Sequence, residues 1–467
     1  MRLRVLFFSA IFGFGMASGS PAADLLQVYQ KALTSDPQIR EADANRLAAR
    51  ESRPQAWGAL LPQINGLGQY NKDKPSGTFT YIDTNTAKYL SAPSTSDTRT
   101  QYWALQLNQT VFQWDQWVAL KRSSREVAQA EADYRSAQQN LVLRVAQRYF
   151  DVLAAEDTLQ AQESALDAIT RQLEQAEKRF EVGLIAITDV EEAKAAHDSG
   201  TADVIAAKRV LASSEELLRE VTGETYESLA RPGDDMPLKT PEPQDENRWV
   251  ETSMQQNLAL ISSRLADEIA RDDIHAAFGG HLPSVSLALT RSNTDITGTH
   301  NVIGQISPAD SKFDDDLLLL QVKVPIFSSG ATQSRVRQAE YRYRAASERY
   351  TRTARETERA ARDAYLGVLS EMSRVKALKQ ALESSKTALQ ATEAGYEVGT
   401  RTAVDVLNAR RTLVQAQTNY SRSRYDYLLN VIQLKLAAGN LEDKDVTEIN
   451  SWLQAVPPKA PDAGQQQ

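Results

Sequence analysis

Four histidines, at positions 197, 275, 281 and 300, are the residues of this sequence best suited to bind a metal or move a proton near neutral pH. They share no metal-ligand spacing. A Ser-x-x-Lys match, Ser373 to Lys376, lacks companion motifs and lies inside a long helical run, so it reads as chance. Asp314, Asp315 and Asp316 could collect a cation, but a calcium loop needs spaced ligands, and the run reads as a solvated charge cluster. There is no glycine-rich phosphate loop and no Gly-x-Ser-x-Gly elbow. Absent cysteine excludes disulfides, thiolate catalysis, thiolate metal sites and a lipid-modified amino-terminal cysteine. The expectation is a protein that is not an enzyme, with no cofactor and no metal site.

Two short passages hold the remaining candidates. Residues 180 to 195 read FEVGLIAITDVEEAKA, and residues 396 to 411 read YEVGTRTAVDVLNARR. An aromatic residue, Glu-Val-Gly and then Asp-Val recur at an offset of 216, the difference between Asp405 and Asp189. Gly183 and Gly399 are expected to end helices, because glycine enters the left-handed conformation of a helix C-terminus without steric cost. Thr188-Asp189-Val190-Glu191 and Thr402-Ala403-Val404-Asp405 have the form of capping boxes. Each passage therefore reads as a tight turn between antiparallel rods. Capping alone would account for Asp405 but not for Arg401, a cation set just before a helix start, where the helix dipole disfavours it. Asp189 of the sister turn is the acid available to it.

The elements that position these turns are written twice. Leu61-Pro62 matches Leu282-Pro283, Phe112 matches Phe327, Tyr149 matches Tyr365 and Gly223 matches Gly439, which divides the chain into repeats of residues 24–240 and 245–455. Each repeat opens with a helical segment, 24–57 or 247–278. Apolar alternation follows, through Ile64, Leu67 and Tyr70, then Trp103, Leu105, Leu107 and Val111. The second repeat answers with Val285, Leu287 and Leu289, then Leu318, Leu320, Val322, Val324 and Ile326. Each repeat thus predicts two strands of about ten residues, with solvated polar loops at 72–100 and 291–315. Next come long coiled-coil seams, apolar or small residues recurring in steps of three and four over 115–181 and 330–397. Such a helix would be roughly 100 Å long. The shorter helices, 24–57 with 188–222 and 247–278 with 402–438, sum to nearly the same length.

Strands of nine to eleven residues with one apolar face suit a membrane barrel, yet four strands cannot close one, so a membrane reading requires several copies. Ordinary packing of two sheets is the alternative. Trp103, Trp114 and Trp117 bracket the end of the second strand, where either an interfacial girdle or junction packing would place them. Residues 1–23 read as a secretory signal peptide with cleavage near Ala22 or Ala23, and 456–467 as a disordered tail. Formal net charge is −8, which argues against nucleic acid as a partner.

Signal peptide, duplication, strand pairs and paired rods together resemble the TolC family of outer-membrane channel proteins. The wording is nearest in LLQVYQKALTSDPQIR at 25–40, RFEVGLIAITDVEEA at 179–193, GGHLPSVSLALT at 279–290 and AGYEVGTRTAVDVLNAR at 394–410. The resemblance implies a mainly α fold with a transmembrane β-barrel contribution: a homotrimer whose four strands per chain complete a 12-stranded barrel in outer-membrane lipid. Long antiparallel coiled coils would form an α-barrel tunnel in the periplasm, with a mixed equatorial region from 223–245 and 440–455. It implies an export duct working with a periplasmic adaptor and an inner-membrane pump, either an ABC or a proton-driven transporter. It also implies a gate at the helical turns. Asp405 would line the constriction, and Tyr396 and Arg401 would link to Thr188 and Asp189 to hold it closed. Asn408 stands where the family's best-known members carry a second acid, which halves the expected ring charge. A stand-alone outer-membrane porin and a soluble periplasmic coiled-coil scaffold are the competing readings.

Overall fold

The computed structural model describes residues 22–233 and 235–454. The signal-peptide segment up to residue 21 and the tail expected at 456–467 lie outside the described residues. In the first repeat the chain runs through α1 (Leu25–Ser35), α2 (Pro37–Arg50), α3 (Ser52–Leu60), β1 (Gln63–Asp73), β2 (Ser76–Asp83), β3 (Lys88–Phe112), α4 (Trp114–Glu181), α5 (Ile187–Thr222) and β4 (Arg231–Pro232). The second repeat gives α6 (Glu246–Gln256), α7 (Leu258–Phe278), β5 (Ser284–Val302), β6 (Gln305–Pro308), β7 (Ser311–Lys323), α8 (Ala331–Glu397), α9 (Ala403–Ala438), α10 (Asp443–Asn450) and β8 (Leu453–Gln454). The long rods and their return helices fall within a residue or so of the expected bounds.

Two expectations need correction. The opening helical segments are not single helices. Pro37 has no N–H, so the chain breaks at Asp36, whose carboxylate accepts the Gln38 amide at 3.0 Å. The second repeat breaks at the counterpart of Asp36, Asn257, whose side-chain amide donates to Ala437 O at 3.1 Å; the first repeat has a further break at Glu51, three residues before Pro54. Nor do the strands stop after ten residues. β3 has 25 residues and β5 has 19, and the stretches read as polar loops continue the ladder, with β2 and β6 folding back as short hairpin partners. Backbone pairing needs no apolar side chains, and the threonines and tyrosines of 88–102 suit a strand with both faces wet.

The chain divides into two compact units. One comprises 44–133 and 259–353. Its sheet is antiparallel, with β1 paired to β3, β3 to β5 and β5 to β7. One rung across it reads Ile64, Leu107, Leu289 and Leu318, and the next on the opposite face reads Asn65, Gln106, Thr290 and Leu317. The first face is apolar and exposed, with Ile64 at 65% and Leu318 at 66%, which suits lipid; the other is mostly polar. Below the sheet the first turns of α4 lie on α7 through ion pairs: Arg122 with Asp273 at 2.6 Å, Arg125 with Glu268 at 2.9 Å, and Lys121 with the buried Asp272 at 3.5 Å. No helix among the described residues is long and apolar enough to cross a membrane.

The other unit comprises 22–43, 134–258 and 354–454. Its core joins Leu141, Val145, Tyr149, Phe150 and Leu153 of α4 to Tyr425, Tyr427, Leu428 and Ile432 of α9, with Leu25 and Val28 of α1 and Val368 of α8. Phe150 stacks on Tyr425 with ring centroids 5.6 Å apart. Three of the phenols donate to oxygen acceptors: Tyr149 to Ala230 O at 2.7 Å, Tyr425 to Asp157 at 2.7 Å and Tyr427 to Lys239 O at 3.0 Å. Burial pushes the Tyr149 and Tyr425 phenols far up, so they stay protonated.

The backbone of Ala23 belongs to this unit. Its N–H donates to Ser228 O at 2.9 Å, and its carbonyl accepts the Ala230 N–H at 3.0 Å and the Tyr149 hydroxyl at 3.1 Å. Cleavage after Ala22, with Ser20 and Ala22 as the small residues of the processing site, preserves all three bonds. N-terminal sequencing of the exported protein should therefore read Ala23-Asp24-Leu25; a start at Asp24 would contradict this assignment.

Candidate functional site at the paired helix turns

The α4–α5 and α8–α9 turns end the same way. Gly183 and Gly399 take φ of 74° and 78°, the left-handed conformation expected of them. Their amides donate to Phe180 O at 2.8 Å and to Tyr396 O at 3.1 Å, and Leu184 N and Thr400 N close the outer bonds to Arg179 O at 2.9 Å and Gly395 O at 2.8 Å. In the second turn Gly395 O also accepts the Thr400 hydroxyl at 3.0 Å and Arg401 N at 3.2 Å. A Cβ at Gly395 would stand 2.8 Å from Arg401 Cγ. The arginine stem therefore folds over this glycine. Sequence reasoning missed Gly395; its signal was a glycine inside the helical pattern, one turn ahead of the terminating glycine.

The helix starts differ. α9 begins with the expected capping box: Thr402 Oγ1 accepts Asp405 N at 3.2 Å, while the Asp405 carboxylate accepts Thr402 N and the Thr402 hydroxyl, both at 2.9 Å. The backbone bond first, the hydroxyl next and the Arg401 charge last hold the Asp405 carboxyl below its usual range. It stays charged at physiological pH, and this cap is lost only when the pH falls through that lowered value. α5 departs from expectation. It begins at Ile187 with Ala186 as N-cap and no side-chain cap, so the capping box read at Thr188–Glu191 does not form. The repeat offset explains why: Ala186, not Thr188, is the counterpart of Thr402. Asp189 still matches Asp405, but it has no hydroxyl to lock it.

Apolar contacts anchor both starts. Val190 and Ala193 of α5 pack on Ala176 of α4, and Leu407 of α9 meets Ile169 of α4 and Ala196 of α5. Arg410 of α9 donates to Glu393 of α8 at 2.6 Å. Thus the two turns lie at one end of this unit, with Asp405 half-buried and Asn408 exposed one turn later. The Tyr396 ring sits beneath the Arg179 guanidinium, 5.7 Å from its centroid. Among the described residues, no hydrogen bond joins Tyr396 or Arg401 to Thr188 or Asp189 within one chain.

A sheet with an apolar belt and a mostly polar reverse, in a chain of long antiparallel coiled coils, is the build of an outer-membrane channel. This chain belongs to the family described as outer membrane efflux protein, whose model matches residues 28–224 and 249–440. It is 37% identical to the outer membrane protein TolC of Vibrio cholerae, over 97% of this chain and 98% of that one. It is 35% identical to TolC of Escherichia coli, over 94% and 87%. The alkaline protease secretion protein AprF of Pseudomonas aeruginosa is 26% identical, over 91% and 86%. In fold it is similar to the Campylobacter jejuni CmeC outer membrane channel, with a TM-score of 0.71, 17% identity and coverage of 97% and 98%. The protein is an outer-membrane exit duct for export.

The unequal helix starts can be measured. Thr402→Ala should speed amide hydrogen exchange at the start of α9 about fivefold, the equivalent of an ordinary N-cap, and leave α5 unchanged. Ala186→Thr should slow exchange at the start of α5 by a similar factor.

Proposed function

We propose that three copies of this chain form the duct and that its periplasmic end is gated by the paired turns. Asp405 and Asn408 of each copy form the constriction, and Tyr396 and Arg401 close it by bonding to Thr188 and Asp189. The observation that carries this reading is that Asp189 and Arg401 sit at the same end of one unit, yet each lacks an ion-pair partner within the chain among the described residues. Asp189 has no cap to satisfy, and Arg401 acts on Asp405 only through its charge. Bonds between neighbouring copies would pair them. A periplasmic adaptor and an inner-membrane transporter, ABC or proton-driven, deliver the cargo: proteins, peptides or small toxic compounds.

In planar bilayers the wild-type duct should conduct poorly, and Arg401→Ser or Tyr396→Phe should raise conductance several-fold. Unchanged conductance in both variants would remove the gate assignment, and high conductance in the wild type would favour a diffusion porin.

Charge at the constriction gives a second readout. One carboxylate per copy, already engaged by Thr402, is a weak ligand for a multivalent cation. Block by a trivalent cation should therefore be slight in the wild type and at least about tenfold stronger in Asn408→Asp, because two adjacent acidic rings concentrate the field. Equal block in the two proteins would place Asn408 away from the constriction.

A further inference from the structure

Residues two apart along a strand share a face. Followed away from the helices, the face that carries Ile64 and Leu107 continues with Gly66 opposite Leu105, Gly68 opposite Trp103, Tyr70 opposite Gln101 and Lys72 opposite Arg99. Its character changes in that order, from aliphatic through aromatic to cationic. Leu105, Trp103 and Tyr70 are exposed at 51%, 48% and 61%. Tryptophan and tyrosine on a lipid-facing strand mark the level where hydrocarbon gives way to headgroups. The cationic rung lies just beyond that level.

Lys72 and Arg99 are an unfavourable pair, because like charges directly opposite one another across an antiparallel ladder repel. Both are exposed, and among the described residues neither has an ion-pair partner. The acid at hand, Asp97, shares the face of Arg99 and is already held by Lys74 at 2.8 Å. Three cations therefore stand against one carboxylate, an excess of two positive charges (three less one). A phosphate monoester carries about −1.5 to −2 charges at neutral pH and three acceptor oxygens, which matches that excess. A phosphate diester carries a single negative charge and matches half of it.

Duplication does not account for the cluster. An offset of 221 (284 less 63) carries β1 onto β5, and 215 (323 less 108) carries β3 onto β7. The counterparts of Lys72, Lys74 and Arg99 are then Asn293, Asp295 and Asp314. The same corner of the second repeat is acidic, so the basic corner is a property of the first repeat alone.

Below the cations there is room for a tail. An apolar depression of about 400 Å³ lies on this face, lined by Ile64, Leu105, Leu107, Leu289 and Leu318 and edged by the Arg291–Asp316 ion pair at 3.8 Å. Gly66 and Gly68 set no side chain beside Leu105 and Trp103, which leaves the way from the cations to the depression open. Arg99 and Leu105 are six residues apart (105 less 99), about 20 Å along the strand, a span that one extended acyl chain covers.

We propose that this corner of the sheet binds a lipid with a phosphate-monoester headgroup, taken from the outer leaflet when the helices lie in the periplasm. Lys72 and Arg99 hold the phosphate, Lys74 adds its charge, and one acyl chain runs past Trp103 into the depression at Leu105. Such binding requires neither three copies nor a gate.

Phosphatidic acid is the probe, added at limiting concentration to the full chain purified in a neutral detergent, with bound lipid counted by native mass spectrometry. About one lipid per chain should be retained. Phosphatidylglycerol, a diester with the same acyl chains, should be retained several-fold less. Lys72→Gln with Arg99→Gln should lower phosphatidic acid retention about tenfold or more, since each cation at a membrane surface contributes separately. Lys72→Arg with Arg99→Lys keeps both charges and should retain the lipid, as should Lys312→Gln, on the same face of β7. Leu105→Asn should weaken retention several-fold through the tail alone. Undiminished retention in the Lys72→Gln, Arg99→Gln variant, or equal retention of the two lipids, would overturn the site. Displacement of the lipid by an equal concentration of inorganic phosphate would show a free-phosphate site and overturn the lipid assignment.

Discussion

Inside hydrocarbon, a backbone N–H or carbonyl at the edge of a sheet has no water to turn to, and each one left unpaired costs several kcal/mol. The sheet has such edges at β1 and β7, with eleven and thirteen residues respectively. No rearrangement within one chain removes them, because four membrane-length strands are too few to close a barrel. The apolar rung of Ile64, Leu107, Leu289 and Leu318 suits the sheet to lipid, and on the three-copy reading proposed above the open edges would be paired between copies.

A different kind of interaction holds the helical unit. Its core is centred on aromatic residues of two helices, with Phe150 of α4 stacked on Tyr425 of α9. The Tyr149, Tyr425 and Tyr427 hydroxyls each have an oxygen acceptor, which is how a hydroxyl is taken out of water without loss. The acceptors include backbone carbonyls of the segments after α5, at Ala230 and Lys239, so the rods and the equatorial strands are fastened by the same side chains. Arg231 adds a donor to Glu156 at 2.6 Å on the same face. The result grips α4 and α8 near their middles and α9 towards its C-terminal end, while the seam beyond relies on small residues such as Ala176, Ala193 and Ala196.

Much of this was legible in the sequence because it depends on periodicity and punctuation. The rods, their glycine ends and the strand pairs follow from heptad steps, left-handed glycines and alternation, which are local signals. The errors were also physical. Proline at 37 and 54 interrupts a segment whose composition is otherwise helical. Polar composition concealed the far halves of β3 and β5, since ladder bonds are made by backbone and leave no trace in hydropathy. The threonine-led tetrads of the two turns looked alike, and only the repeat offset shows that Thr188 lies two residues too late to cap. Gly395 was overlooked because a glycine within a helix carries no sign of what folds over it.

The unequal helix starts also bear on stiffness. The first turn of α9 is braced by its own side chains, and about two turns further on Arg410 ties the helix to Glu393 of α8, so a load applied there would pass along the helix axis. The first turn of α5 has no such brace and yields locally under the same load. A ring of these turns would therefore alternate rigid and compliant joints. On the gate proposed above, the compliant ones would absorb the displacement of an opening end, and the rigid ones would carry their carboxylates through it with little change in direction.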